Sequence, residues 1–512
     1  MNRLLLLVLV PLGILCAYEL VMRLAEIKRT GCGTHGFLEA YHFYEGFASL
    51  RDTAVKAAAS ALTIGFGGSA GLEGPSLTIG GGIASAIARL LRVPEEEVPR
   101  LFLAGGAAGL AAIFRTPLTG LLFALEIPYK RDLEKDVFVQ AMLASVTSYL
   151  VFVAICGTET LFTLYPGILE LTPTSVLNAA MLGLLTGALG RAFVALYEWL
   201  REKLAAMGES RIRWALPLLG GLAVAAIGLL EPRALGVGYE TIHDSLLGKI
   251  GPLDLAILAV LKIVVTSLTL NSGGSGGLFI PSIYVGAVVG ALFSHFAGGP
   301  VEIYAMAGMA SVLAATSKTL LTAVAFTAET AGPSSVIQTL IAATISYFSS
   351  GLASFYEVQP VKRPRGDVQL LRELLYRLHR RYPELLERLR ANDLMIRPPV
   401  VLRGNLRIRE AIELAKESPL NYIPVVSDHK LQGFVTLEDL LAFTERSRDL
   451  PVAFVHTRPG LLFRPSDTLE RVLERVLEEG AEEAAVVDEE GKLLGLVTVR
   501  SILKSVVPYI IR

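Results

Sequence analysis

Across residues 64–88, IGFGGSAGLEGPSLTIGGGIASAIA, Glu73 is the one charged side chain. The stretch is apolar enough for a bilayer, where a carboxylate costs several kcal/mol unless it lines a water-filled path. The chain therefore needs a multi-helix membrane domain with a polar route past Glu73. Glycines flank the residue and Pro75 follows it closely. That is the composition of a helix start, where free backbone N–H groups and the positive dipole end face an anion. Glu73 reads as a tethered carboxylate competing with a diffusible anion for one site.

Charge is segregated along the rest of the chain. Hydrophobic residues make up 52% and charged residues 19% of the 512 positions. The sequence is mostly apolar as far as Tyr356 and dense in Arg, Glu, Asp and Lys from Val361 onward. The net charge of -1 averages these unlike parts and gives no sign of a nucleic-acid partner. Cys16, Cys32 and Cys156 have no pairing or metal-ligand spacing, so neither a disulfide framework nor a metal site is expected. The opening apolar run lacks a small-residue cleavage site and reads as a membrane helix, Leu4 to Met22, rather than a signal peptide. Arg23, Lys28 and Arg29 follow it against Arg3 before it, which puts its far end in the cytoplasm.

Further apolar segments fall at about 54–70, 76–91, 101–127, 137–156, 175–205, 213–230, 253–270, 281–298, 302–315, 319–331 and 334–354. Several are shorter than the roughly 20 residues of a perpendicular span, and many are broken by Gly or Pro. Short, interrupted helices in both halves point to an inverted-repeat transporter with its site near the midplane. The halves echo each other. Gly71-Leu72-Glu73-Gly74-Pro75 has a counterpart in Gly276-Gly277-Leu278-Phe279-Ile280-Pro281, and Leu118–Glu126 matches Leu321–Glu329. Each half holds a Gly-rich turn before a helix, then a short helix ending in glutamate.

Residues 358–392 read as a charged helical linker, and Lys362, Arg363 and Arg365 put this end in the cytoplasm. A second repeat follows. Asn421–Val426 with Leu431–Leu440 is one copy, and Ala484–Asp488 with Leu494–Leu503 is the other. Each reads as strand, turn, strand, helix, with an amphipathic helix ahead of it. This resembles a tandem pair of CBS domains, at 393–447 and 448–512.

Together these motifs resemble the CLC family of chloride channels and proton-coupled chloride exchangers, over nearly the whole chain. The resemblance implies an all-α, multi-pass membrane domain over 1–357, an inverted repeat of short broken helices, followed by an α/β CBS pair. The family motif G-[KR]-E-G-P is met by Gly71–Pro75, with Leu72 in the basic position; this makes Glu73 the gating glutamate and Gly74 an anion neighbour. G-x-F-x-P is met by Gly277–Pro281, so the backbone N–H groups of Leu278 and Phe279 would point at the anion. Ser354-Phe355-Tyr356-Glu357 meets the context of the inner tyrosine, so Tyr356 would donate its hydroxyl.

Three departures qualify the transfer. The first family motif, G-S-G-I-P, is met loosely by Gly31-Cys32-Gly33-Thr34-His35-Gly36. Cys32, Gly33 or Thr34 could stand for its serine; Gly33 and Thr34 are taken as anion-binding, with Thr34 the one hydroxyl. The position of the inner proton glutamate is Ile127, which cannot relay a proton, while Glu126 reads as a helix cap or structural partner. The family's usual helices ahead of the segment matching Leu4–Met22 are missing, which would put Met1 outside.

The resemblance implies glutamate-gated transport of chloride in each subunit of a homodimer, in a cell membrane with the CBS pair in the cytoplasm. Ile127 leans this towards a passive channel. Proton-coupled exchange is the alternative, and the altered first motif adds a fluoride-specific relative as a further one. A CBS-bearing divalent-cation transporter is the alternative of another class, and it would line its path with several acidic residues. No enzyme activity is expected, because no nucleophile–base pair appears. No cofactor is required; adenine nucleotide at Thr436, Asp439 and Thr498 is weighed against purely structural contacts.

Overall fold

The computed structural model describes residues 3–94, 97–158, 160–162, 171–208, 215–363, 371, 375, 378–379, 382–418, 420–428, 430–443 and 447–510. It forms two compact units, Met1–Arg363 and Pro364–Arg512.

The first unit runs α1 (Leu6–Leu24), β1 (Gly31–Cys32), α2 (Gly33–Phe43), α3 (Leu50–Gly65), α4 (Glu73–Leu90), α5 (Val98–Phe114), α6 (Pro117–Glu126) and α7 (Phe138–Cys156). It continues through α8 (Pro173–Gly208), α9 (Leu216–Leu230), α10 (Tyr239–Leu246), α11 (Pro252–Asn271), β2 (Ser275–Gly276), α12 (Phe279–Ala297), α13 (Val301–Ser317), α14 (Leu320–Ala331) and α15 (Val336–Ser349). Among the described residues, five helices are long and apolar enough to cross a bilayer, while α6 has 10 residues and α14 has 12. Short helices of this kind need neighbours to satisfy their ends.

The repeat seen in sequence is a physical one. Where α4 crosses α5, a Cβ on Gly80 would strike the Gly105 carbonyl and the reverse; where α12 crosses α13, Gly286 and Gly308 stand in the same relation. Small residues let the backbones of apolar helices approach this closely. α5 ends at Arg115 (φ 58°) and α13 at Lys318 (φ 61°), both left-handed, and a threonine precedes the next helix each time. The expected single segment 101–127 is therefore two helices. Pro117 explains the break, because a residue before proline avoids helical torsions.

α6 and α14 then cap each other. Glu126, the last residue of α6, accepts the N–H of Leu321 at 2.8 Å and both the N–H and hydroxyl of Thr322 at 2.7 Å. Glu329 of α14 accepts the N–H of Leu118 at 2.9 Å, that of Thr119 at 2.7 Å, and its hydroxyl at 2.6 Å. Each carboxylate satisfies orphan donors at the positive end of its partner. Two helices escape a search for apolar runs: α2 (GTHGFLEAYHF) and α10 (YETIHDSL) carry too many polar residues. α7 leaves Leu143, Leu150, Val151 and Ile155 exposed, and α8 leaves Leu177, Met181 and Leu184, surfaces suited to lipid or a second copy.

The second unit holds two like sheets. β3 (Leu402–Arg403), β4 (Ile423–Ser427) and β5 (Lys430–Val435) lie in that order, as do β6 (Leu461–Phe463), β7 (Glu483–Val487) and β8 (Leu493–Thr498). In each the first pair is parallel and the second antiparallel. The helices Ile408–Lys416 and Leu469–Glu479 supply the crossovers that the parallel pairs need. Phe434 packs with Ala485 and Leu496, joining the two copies. Of the expected linker, residues 364–370, 372–374, 376–377 and 380–381 lie outside the described residues, Arg365 among them, and the rest includes a short helix, Pro383–Arg388.

Candidate functional site

Three Gly-rich segments, far apart in sequence, meet at one point. β1 pairs with β2, Gly31 against Ser275 and Cys32 against Gly276, and Gly71 exchanges two backbone hydrogen bonds of 2.9 Å with Gly277. These pairings bring together the starts of α2, α4 and α12. Glycine is required for the approach: a Cβ on Gly33 would strike the Gly74 backbone, one on Gly74 the Gly276 carbonyl, and one on Gly277 the Glu73 carboxylate. Converging helix starts offer free N–H groups and partial positive charge without a fixed cation.

Glu73, the first residue of α4, fills that place. It is fully buried; Oε1 accepts the N–H of Phe279 at 2.5 Å, and Oε2 has no hydrogen-bond partner. Leu278 is the N-cap of α12 and Phe279 its first residue. The Phe279 ring stacks on Phe114 at 5.5 Å and meets Phe326 edge-on at 5.0 Å, which fixes the backbone the carboxylate uses.

Gly33, Gly74 and Phe279 thus join Glu73 in one cluster. Tyr356 is buried and within electrostatic reach of Glu73, Cys32 and Thr34. Cys32 is the N-cap of α2, while Thr34 lies within the helix with Oγ1 buried and without a partner of good geometry. Cys32, Gly33 and Thr34, the three candidates for the place of the family's serine, thus all lie at this helix start.

Sequence reading missed what holds Tyr356. Its N–H donates to Ser354 Oγ at 3.2 Å, and the Ser354 hydroxyl donates to Gln359 Oε1 at 2.8 Å. Gln359 Nε2 donates in turn to the Ile127 carbonyl at 2.8 Å. Ile127 is itself fully buried. The one signal for Gln359 was an amide where the apolar segment gives way to charge.

A cavity of about 460 Å³ reaches Cys32 and Gly33, and Phe355 forms part of its wall. Arg29, Lys56 and Arg201 also line it. The three motif segments carry no Lys or Arg, but the approach to them does.

In the second unit, Thr436 and Asp439 form a capping box on the helix Leu437–Leu441. The Thr436 N–H donates to Asp439 Oδ2 at 2.9 Å, and the Asp439 N–H to Thr436 Oγ1 at 3.1 Å. Arg458 Nη2 donates to Asp439 Oδ1 at 2.7 Å. Desolvation opposes ionisation of Asp439, but the Arg458 guanidinium and Thr436 outweigh it and hold the carboxyl below its usual range. Thr498 and Ser501 repeat the box at the second copy, with bonds of 2.9 and 3.1 Å. Each of the three expected nucleotide residues thus has a local structural role.

A family model described as voltage gated chloride channel matches residues 13–351, and the CBS domain model matches 391–445 and 452–508. An uncharacterized protein of Methanocaldococcus jannaschii is 27% identical over 351 residues, 68% of this chain and 86% of that protein. Chloride channel protein CLC-f of Arabidopsis thaliana is 33% identical over 301 residues, 53% of this chain and 38% of that protein. The H(+)/Cl(-) exchange transporter ClcA of Cronobacter sakazakii is 31% identical over 284 residues, 52% of this chain and 59% of its own length. The match thus spans less than two thirds of the last two relatives. Among solved structures, a CLC-type fluoride/proton antiporter has a TM-score of 0.64 and 26% identity, covering 70% of this chain and 89% of its own. A eukaryotic CLC transporter shares the fold over 98% of this chain and 90% of its own, with a TM-score of 0.59 and 19% identity. The chain belongs to the voltage gated chloride channel family, with two CBS domains following its membrane unit.

Proposed function

We propose that the chain carries chloride passively across a cell membrane, through a glutamate-gated path in each subunit of a homodimer, with the CBS pair in the cytoplasm. The observation that carries this reading is the Glu73 carboxylate on the N–H of Phe279, at the meeting of three helix starts. Ionised Glu73 competes with the anion for those donors. Protonation removes the competing charge and frees them. Gly33, Thr34, Gly74, Leu278, Phe279 and Tyr356 then line the route, and their partial charges hold an anion loosely enough for it to leave. Passive flow is supported by Ile127, whose side chain has no proton to exchange.

Proton-coupled exchange is the second reading. It is favoured by the exchange transporter of Cronobacter sakazakii and by the fluoride/proton antiporter, which also brings fluoride in as cargo. Family membership sets aside the divalent-cation transporter. At the CBS pair, the capping boxes favour a structural role; adenine nucleotide would have to draw Asp439 away from Arg458, which calorimetric titration with ATP tests.

The deciding experiment records chloride efflux and external pH together from chloride-loaded liposomes. Passive flow gives efflux without stoichiometric proton movement, persisting or faster in Glu73→Gln. Uphill proton movement driven by the chloride gradient, and lost in Glu73→Gln, establishes exchange instead. Absence of chloride flux overturns both, and fluoride is then tested.

A further inference from the structure

Glu73 leaves half of its carboxylate unheld. Oε1 takes the N–H of Phe279, while Oε2 is buried without a partner. Buried polar atoms are almost always paired, so this oxygen marks a side chain with a second place to go. One neighbouring group is also unbonded. Tyr239, the first residue of α10, is half-buried and within electrostatic reach of Glu73. Among the described residues its hydroxyl has no hydrogen-bond partner.

The backbone ties Tyr239 to the gate. The Gly236 N–H donates to the Gly67 carbonyl at 3.3 Å, joining the turn before α10 to the loop that leads into Glu73. Lys262 of α11 is fully buried; its Nζ donates to the carbonyls of Gly236 at 2.7 Å and Ala234 at 3.3 Å and lies 4.7 Å from the centre of the Tyr284 ring. Lysine is almost never buried without such partners. Thr266 and Thr269, on the same face of α11, hold Ser69 of the gate loop, at its hydroxyl (2.8 Å) and its N–H (3.2 Å). One helix face therefore fixes both loops. Gly238 (φ 89°) turns the chain into α10, where a Cβ would strike the Tyr284 ring. The Tyr239 ring meets Phe162 edge-on at 6.3 Å, packed against the core that holds Phe279. The cavity that reaches Cys32 does not include Tyr239, so this residue approaches the gate separately.

We propose that Tyr239 is the catch for the gate: once protonated, the Glu73 carboxyl leaves the N–H of Phe279 and is held by the Tyr239 hydroxyl. A carboxylic acid and a phenol each carry a donor and an acceptor, so a bond forms whichever of them donates. The ionised carboxylate keeps to the helix start, where partial positive charge favours it. Tyr239 acts through Glu73, as a positioning residue that keeps the carboxyl off the anion's donors. The inference rests on the gating reading of Glu73.

The other groups around the gate are neutral or engaged. Cys32 and Tyr356 feel the Glu73 charge and are neutral. On α2, Glu39 pairs with Arg29 and His35; on α3, Lys56 faces Asp52 and Glu39. Arg89 of α4 donates to the Ala48 carbonyl, Arg100 of α5 pairs with Glu97, and the Tyr284 hydroxyl of α12 donates to the Arg233 carbonyl. On α10 itself, Glu240 is exposed and Asp244 pairs with Lys249.

Tyr239→Phe keeps the ring and removes the hydroxyl. In liposomes, its chloride flux on the alkaline side of acid activation is expected to fall about fivefold, the size of one neutral hydrogen bond, and to recover in acid. Glu73→Ala and the double variant Glu73→Ala/Tyr239→Phe are expected to conduct alike. An unchanged pH profile in Tyr239→Phe overturns the proposal, as does an equal loss in the Glu73→Ala background, which marks a packing role. Crystals of the full chain grown in acid supply a readout that needs no flux. The Glu73 carboxyl is expected within hydrogen-bond distance of the Tyr239 hydroxyl; a carboxyl that stays on Phe279 or turns to Tyr356 overturns the catch. Absence of wild-type chloride flux would sink the transport reading, and the crystals alone would then decide whether Tyr239 receives Glu73.

Discussion

Gly277 has no room for a side chain because the Glu73 carboxylate occupies the space where its Cβ would stand. Gly277→Ala therefore acts on the gate from across the site. Overpacking of this kind costs about 1–3 kcal/mol, and here the displaced group is the carboxylate itself. Chloride flux at neutral pH is expected to rise towards that of Glu73→Gln and to lose its acid activation in a liposome assay across pH. Gln359 is the other residue with reach beyond its size. Gln359→Ala leaves the Ser354 hydroxyl proton without its acceptor and the Ile127 carbonyl without its Gln359 donor in a buried place, a loss of about 1–3 kcal/mol. A lower Tm in detergent and weaker chloride binding are the expected outcomes, because the Tyr356 loop loses its tie. Glu73 and Phe279 were legible in sequence through their glycine setting. Gln359 was not, because its bond to Ile127 spans 232 positions.

The reciprocal caps of α6 and α14 govern behaviour at the level of elements. Each carboxylate satisfies two backbone N–H groups and a threonine hydroxyl on the other helix. Glu126→Ala and Glu329→Ala each strand those donors, at about 1–3 kcal/mol for a buried group left unmade. Both should lower the Tm. Glu126→Ala should lower it more, because Glu126 is 6% exposed while Glu329 is only partly buried. Thermal unfolding of the two variants side by side checks the order. The sequence showed two helices with matching glutamates at their ends; that each glutamate caps the other helix follows from their packing alone.

At the scale of the molecule, the two units have separate cores, so two thermal transitions are expected. Acid separates them further. Asp439 is held below its usual range, so its contribution is present above the unfolded value of about 3.9 and lost as pH falls through the lower folded value. The CBS transition should fall on acidification over that window, and fall less steeply in Asp439→Asn. Thr436→Ala, which removes an N-cap, should lower the same transition at neutral pH by about 1 kcal/mol and leave the membrane transition in place. Calorimetry on the full chain distinguishes these outcomes.

The sequence by itself determined the segregation into membrane and CBS units, both internal repeats, and Glu73 as the carboxylate at a helix start. These are local properties: apolar run length, the torsions glycine and proline allow, and the cost of a lone charge in an apolar stretch. Only the tertiary structure decided which helix start Glu73 sits on, since its bond to Phe279 joins residues 206 positions apart. The same holds for the polar helix α2, which carries Glu39 and His35 into the cavity, and for Lys56, an unremarkable basic residue in sequence. Local pattern sets what each segment can be, but pairings between segments of similar glycine content differ only in how closely their backbones fit.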